Sequence, residues 1–338
     1  MIIIQRCLLL GLLLLGTACT GGQATPPPTN AVVQTAPTEP AIPPASATSS
    51  TEPSPTTAVA PRTLVETVTT FDSPAAEETP SPSPQPSPTL DPGEWQSLPI
   101  IPVAGDVARK IYRRSLELGN NPQAFSKIGD CGSTPAWFLG DFDRGPRYYR
   151  LGPHQDLEGV IQAFQGSFDR TSLAAKAGFN ASSVFTPLWA DRKQCQPDEA
   201  PLACEYRLHR PAMAFIMLGT NDVYHPDSFE PRMRQLIEFS IENGVIPILS
   251  TKADNEEGDG SLNATIARLA FEYGVPLWNY WLAVQPLPDH GLQEDGVHIT
   301  WGPNRFDDPH ALTRGWTVRN LTALQVLDAV WRYVTTEN

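Results

Sequence analysis

The sequence predicts an α/β domain built on a central parallel sheet of about five strands, with helices on both faces. Three observations predict it. Short apolar runs alternate with amphipathic stretches throughout residues 99–338. The run from Ala212 to Leu218 is apolar without interruption, as a strand covered on both faces must be. Glycines follow the amphipathic stretches, where helices stop. Such alternation gives parallel strands joined by right-handed crossovers.

The chain divides by composition. Residues 1–19 are an export leader: Arg6 precedes a Leu-rich run from Cys7 to Leu15 that is shorter than the ~20 residues a bilayer span needs. Gly16-Thr17-Ala18 then leads into Cys19, a small-residue approach to cysteine that resembles the lipobox of bacterial lipoproteins. That resemblance implies lipidation at Cys19; the departure is Gly16, where an aliphatic residue is usual. Plain secretion is the other reading. Residues 20–98 are rich in Pro, Thr, Ser and Ala, and 17 of the 35 prolines lie between Gln23 and Pro92. So little apolar surface cannot offset the entropy of ordering, so a disordered tether is expected. The linker also carries eight acidic residues against Arg62 alone, about half of the net charge of −13. The mildly acidic remainder offers no basic face for a nucleic acid. Residues 99–338, about 240 in number, suffice for one core and one domain.

Within that domain, Val107 to Leu118 has helical spacing and stops at Gly119-Asn120-Asn121-Pro122. Ala124 to Ile128 reads as a strand. Leu173 to Ala177 reads as a weaker strand ending at Gly178, with Asn180 placed to cap a helix near Ala181. The strand Ala212–Leu218 ends in Gly219-Thr220-Asn221-Asp222. Phe229 to Asn243 is an amphipathic helix stopped by Gly244, and Val245 to Leu249 is the next strand. Leu262 to Tyr273 is helical and stops at Gly274. Pro276 to Trp281 reads as a strand, and Val318 to Val334 as a last helix with a strong apolar stripe.

In parallel α/β sheets the site lies beyond the C-terminal strand ends. Three segments with chemistry fall there. Gly129-Asp130-Cys131-Gly132-Ser133 follows the first strand and is expected to open a helix, whose N-terminus would favour a thiolate at Cys131. Asn221 offers an amide donor after the buried strand. Asp295-Gly296-Val297-His298 puts a carboxylate three residues before an imidazole, close enough to fold back and fix the tautomer. Each has a plainer reading as well: a small residue in a turn, a polar strand end, a surface loop.

In this order, the three blocks together with the lone Gly178 resemble the SGNH (GDSL-type) hydrolases, over a span from about Phe125 to the last helix. The resemblance implies a three-layer α/β/α, flavodoxin-like fold and hydrolysis of esters, often acyl groups on polysaccharides or lipids. It implies Asp295 and His298 as acid and base, with Asn221 and the N–H groups of Gly178 and residue 131 as oxyanion donors. The family has Ser where this chain has Cys131. Three readings follow: a working thiol nucleophile, a dead site, or a domain that binds acylated glycan without turning it over. Ser133, two places on, is aimed differently along the turn.

Of five cysteines, Cys195 and Cys204 flank a polar loop and are expected to pair in an oxidising compartment, leaving Cys131 free. No cluster has metal-ligand spacing and no Gly-rich phosphate loop is present, so no metal or cofactor is expected. Trp189, Tyr224 and Trp301 can line a sugar subsite or simply pack. The expected protein is a surface-held monomer outside the cytoplasm. Its expected partners are an acylated glycan or lipid substrate and, through the N-terminal lipid anchor, the membrane.

Overall fold

The computed structural model describes Leu90, Asp91 and residues 93–336. The expected leader, Cys19 and most of the linker lie outside the described residues. The packed chain starts before residue 99, since Leu90 and Trp95 are buried against Ala267.

In chain order come α1 (Asp106–Glu117), β1 (Asn121–Gly129), β2 (Tyr149–Arg150), α2 (Glu158–Ala163), α3 (Pro201–His209) and β3 (Pro211–Met217). Then follow α4 (Pro226–Glu242), β4 (Ile246–Ser250), α5 (Ser261–Tyr273), β5 (Leu277–Trp278), α6 (Tyr280–Val284), β6 (Asn304–Arg305) and α7 (Gly315–Thr335). The main sheet is parallel, in the order β1-β3-β4-β5. On the free edge of β1, Gly129 bridges Ala175 in the parallel sense. The sheet is thus flavodoxin-like in order, with its fifth strand position reduced to one bridge. A two-residue parallel pair, β2 with β6, stands apart.

Every residue of β3 and β4 is buried, which is why both read as unbroken apolar runs. The strand order advances in one direction from β3 to β5, so right-handed crossovers put α4 and α5 in one layer. Helices α1 and α7 pack together as the other. Phe215 of β3 meets Phe125, Phe138 and Trp278 at ring separations of 5.7, 5.5 and 5.8 Å, which locks β1, β3 and β5 to one aromatic core. Gly244 ends α4 at φ +68, and a Cβ there would lie 2.8 Å from the backbone of Ser115 in α1. Only glycine meets both demands.

Four expectations need correction. Residues 173–177 make one bridge, not a strand. The strand expected over 276–281 shrinks to Leu277–Trp278, because Asn279 caps α6 by accepting from the N–H of Leu282. The helix expected after Cys131 is a single 3-10 turn, Cys131–Ser133. The helix expected near Ala181 is likewise one turn, Ser183–Phe185, with Ser182 rather than Asn180 at its N-cap position; Asn180 Oδ1 accepts from the N–H groups of Ser182 and Ser183 just ahead of it.

Candidate active site

The C-terminal ends of β1, β3 and β4 open into a cavity of about 320 Å³. Cys131, Gly178, Asn221 and His298 all line it. Asp295 does not line it; it stands behind His298.

Cys131 follows β1 on a tight turn. Asp130 Oδ1 accepts from the N–H of Gly132 at 2.8 Å, and the Cys131 carbonyl accepts from Thr134 Oγ1 at 2.8 Å. The thiol is part-exposed and unpaired. With no α-helix behind it, the expected helix-terminus field is missing. Burial and the Asp130 carboxylate push the thiol up, against the pull of the Gly132 N–H and Arg319. Ser133 is fully buried, and its Oγ sits where a Gly129 Cβ would be, without a hydrogen-bond partner among the described residues. It faces the strand ends, away from the cavity.

The loop before α7 builds a carboxylate–imidazole couple. Asp295 Oδ2 lies 2.7 Å from His298 Nδ1, and Oδ1 accepts from the N–H groups of Val297 and His298 at 3.0 and 2.9 Å. These bonds hold the Asp295 carboxyl at about 2. With Nδ1 donating to a carboxylate, Nε2 is the basic nitrogen. Among the described residues no hydrogen bond joins His298 to Cys131 Sγ, although both line the cavity.

Gly178, at φ +80, has nothing within 4 Å of where a Cβ would stand. Its N–H and that of Cys131 take no acceptor among the described residues. Asn221 donates one Nδ2 hydrogen to the Phe179 carbonyl at 3.0 Å, which sets the amide's orientation and leaves the second N–H. Asp222 ties the two loops, accepting from Ala181 and Gly219 N–H at 2.9 and 3.0 Å; burial raises it to about 6.

Several cavity residues escaped the sequence reading. Lys252 Nζ pairs with Asp254 at 2.7 Å and Glu257 at 2.5 Å, and Thr220 Oγ1 donates to Asp254 at 2.8 Å. Arg319 of α7 lies beneath Cys131 and donates to the Gly132 carbonyl at 3.0 Å. Its signal was available: Trp316, Arg319, Ala323, Leu327 and Val330 recur at helical spacing, so a cation stands on the buried stripe. Cys195 and Cys204 form a disulfide with Cα atoms 5.3 Å apart. Their sulfurs are therefore unavailable as metal ligands beside Glu199, the one group of ligand type clustered among the described residues.

No family model and no curated protein matches the chain. Solved structures do. An acetyl xylan esterase, AlAXEase, is 14% identical with TM-score 0.38, over 60% of this chain and 97% of its own. A GDSL-like lipase from Bacteroides thetaiotaomicron is 16% identical with TM-score 0.36, over 65% and 98%. The esterase EstA from Pseudoalteromonas is 13% identical with TM-score 0.37, over 63% and 100%. The chain has a flavodoxin-like parallel α/β fold. That sheet gathers Gly-Asp-Cys, Gly178, Gly-Thr-Asn-Asp and Asp-x-x-His at one end.

Proposed function

We propose that the domain is an SGNH-type ester hydrolase that removes acyl or acetyl groups from a glycan or lipid outside the cytoplasm. The observation that carries this reading is the Asp295–His298 couple, with Nε2 left basic, beside a cavity that also holds Cys131 and the free N–H groups of Gly178 and Cys131. In the proposed cycle His298 Nε2 takes the Cys131 proton as Sγ attacks the acyl carbon. The oxyanion is met by the N–H groups of Cys131 and Gly178 and by Asn221. Collapse expels the alcohol, which receives the proton from His298. Water, deprotonated by the same nitrogen, then hydrolyses the thioester and Cys131 recovers its proton.

A glycan is supported by aromatic surface next to the cavity. Trp137 and Trp316 stack at 5.6 Å and border a shallow depression with Trp301, Asp141, Asn304 and Asn320. Tyr224 is exposed and Trp189 lies under Lys176, but neither lines the cavity. Export and lipid anchoring at Cys19 are supported by the leader, and an oxidising compartment by the Cys195–Cys204 disulfide.

One observation favours a second reading, a catalytically silent binding domain. The Cys131 thiol is pushed up and lacks a hydrogen bond to His298 among the described residues. Hydrolysis of short-chain p-nitrophenyl esters separates the two. Wild type should exceed Cys131→Ala and His298→Ala by at least two orders of magnitude. If wild type matches His298→Ala while Cys131→Ser gains activity, the native protein is not an esterase of these substrates.

A further inference from the structure

Arg319 is a buried cation that the proposed cycle does not use. The residue is 8% exposed and lines the cavity. Its guanidinium carries five N–H donors. One meets the Gly132 carbonyl at 3.0 Å and another meets only the thioether of Met217, a weak acceptor. Nε has no partner at all among the described residues. No carboxylate lies within ion-pairing distance of it among the described residues. Asp254 and Glu257 are taken by Lys252, and Asp130 turns Oδ1 to the Gly132 N–H. What surrounds the guanidinium instead is aromatic: the rings of Phe138, Trp316 and Tyr280 lie 4.9, 5.1 and 5.7 Å from its carbon.

A buried cation without an anion is costly, and ring faces compensate it only in part. A purely structural arginine at this depth normally spends its fork on carbonyls or carboxylates. Here the guanidinium lies among three rings, with donors left over, at the wall of a cavity. The planar fork of a guanidinium suits a planar, bidentate anion. We infer that Arg319 makes this cavity an anion subsite that takes a carboxylate carried by the substrate close to its acyl ester. The anion subsite stands independently of turnover, whereas its assignment to a substrate rests on the ester-hydrolase reading. The carboxylate can belong to the sugar, as in a uronic acid, or to the acyl chain, as in a hemiester.

Cys131 is next to the subsite and reports on it without hydrolysis. Alkylation of Cys131 in the full chain, mapped by peptide mass spectrometry, is compared between iodoacetate and iodoacetamide. Both reagents consume the same thiolate, so their rate ratio cancels the thiol's own acidity. The protein's net charge of −13 works against the anionic reagent. Even so, the ratio should exceed that of N-acetylcysteine by roughly tenfold or more, the scale of one hydrogen bond to a charged group. Arg319→Gln should return it to the free-thiol value and Arg319→Lys should keep part of the excess. The same excess should persist in His298→Ala, which removes the imidazole as its source.

A wild-type ratio at or below that of the free thiol overturns the proposal, whether or not the variants fold, and leaves Arg319 a structural prop. Protection against iodoacetamide then distinguishes the sources. Methyl glucuronoside protecting assigns the carboxylate to the sugar, and monomethyl succinate assigns it to the acyl chain. Protection by inorganic phosphate alone, with neither carboxylate effective, also overturns it. Loss of esterase activity in the p-nitrophenyl assay leaves the alkylation ratio untouched, so the two readings fail separately.

Discussion

Cys131 is kept as a thiol by two causes, burial and the carboxylate of its neighbour Asp130. The second can be removed without dismantling the turn. Asparagine at position 130 keeps an oxygen to accept from the Gly132 N–H, now at 2.8 Å, while deleting the charge. Asp130→Asn should therefore lower the pH at which Cys131 alkylation by iodoacetamide reaches half its maximum. In wild type that midpoint should lie above the ordinary thiol value, consistent with burial as the larger cause. Equal midpoints in wild type and variant would mean that the Asp130 charge does not reach the sulfur. A lowered midpoint bears on catalysis too, because a thiol already near ionisation needs less from His298. At this scale most of the site was legible. Asp295, His298 and Asn221 stand in recognisable blocks, with Gly178 a lone glycine ahead of them, and a carboxylate three residues from an imidazole closes on itself by local geometry. Arg319 was not read because its role depends on what the α7 stripe packs against.

The elements that carry the site differ in what makes them. Strands β3 and β4 and helices α4, α5 and α7 are specified by their own periodicity, and each was legible with ends shifted by a few residues. The segment from Ser172 to Gly178 is different. It is held beside β1 by tertiary bonds that no local pattern shows. Glu205 of α3 is wholly buried and accepts from Arg170 at 2.6 Å, from Ser126 Oγ at 2.6 Å and from the Leu173 N–H at 2.8 Å. Helix α3 was itself missed, since it hides behind Pro201 and a cysteine of the disulfide rather than showing a wide apolar stripe. Glu205 thus joins α3, β1 and the strand-like segment that leads to Gly178. Glu205→Ala leaves the Leu173 N–H without its acceptor and the part-buried Arg170 without its carboxylate, and should destabilise the domain by about 3 kcal/mol. Urea unfolding of the two proteins measures this. It should also loosen the Gly178 loop, so ester hydrolysis should fall even where the variant is fully folded. A shift of the midpoint under about 0.5 kcal/mol, as for an ordinary surface change, would remove Glu205 from this role.

For the whole molecule, the most consequential buried group lies away from the cavity. Lys127 of β1 is wholly buried, with Nζ donating to the Phe168 carbonyl at 2.7 Å. Burial first, and then the nearby Arg170 charge, push its ammonium down to about 7. An unfolded lysine keeps its proton to about 10.4. Between these values the folded state binds fewer protons than the unfolded one, so stability rises with pH across the window. The penalty is in full force at and below pH 7 and is gone near pH 10.5. Lys127→Met fills similar volume without a charge, although it leaves the Phe168 carbonyl without this donor. Relative to wild type the variant should therefore gain most at pH 7 and least at pH 10, where the neutral amine keeps its hydrogen bond. Other titrating groups act alike on both proteins, so the difference between their unfolding free energies isolates this one. That difference should shrink steadily as pH rises from 7 to 10 in paired urea titrations; a constant difference would show that Lys127 is not neutralised on folding. The effect reaches the candidate site through β1, whose end carries Asp130 and Cys131: raising the pH from 7 towards 10 should firm that strand as Lys127 gives up its proton, while the Asp295 carboxylate, held at about 2, stays ionised throughout.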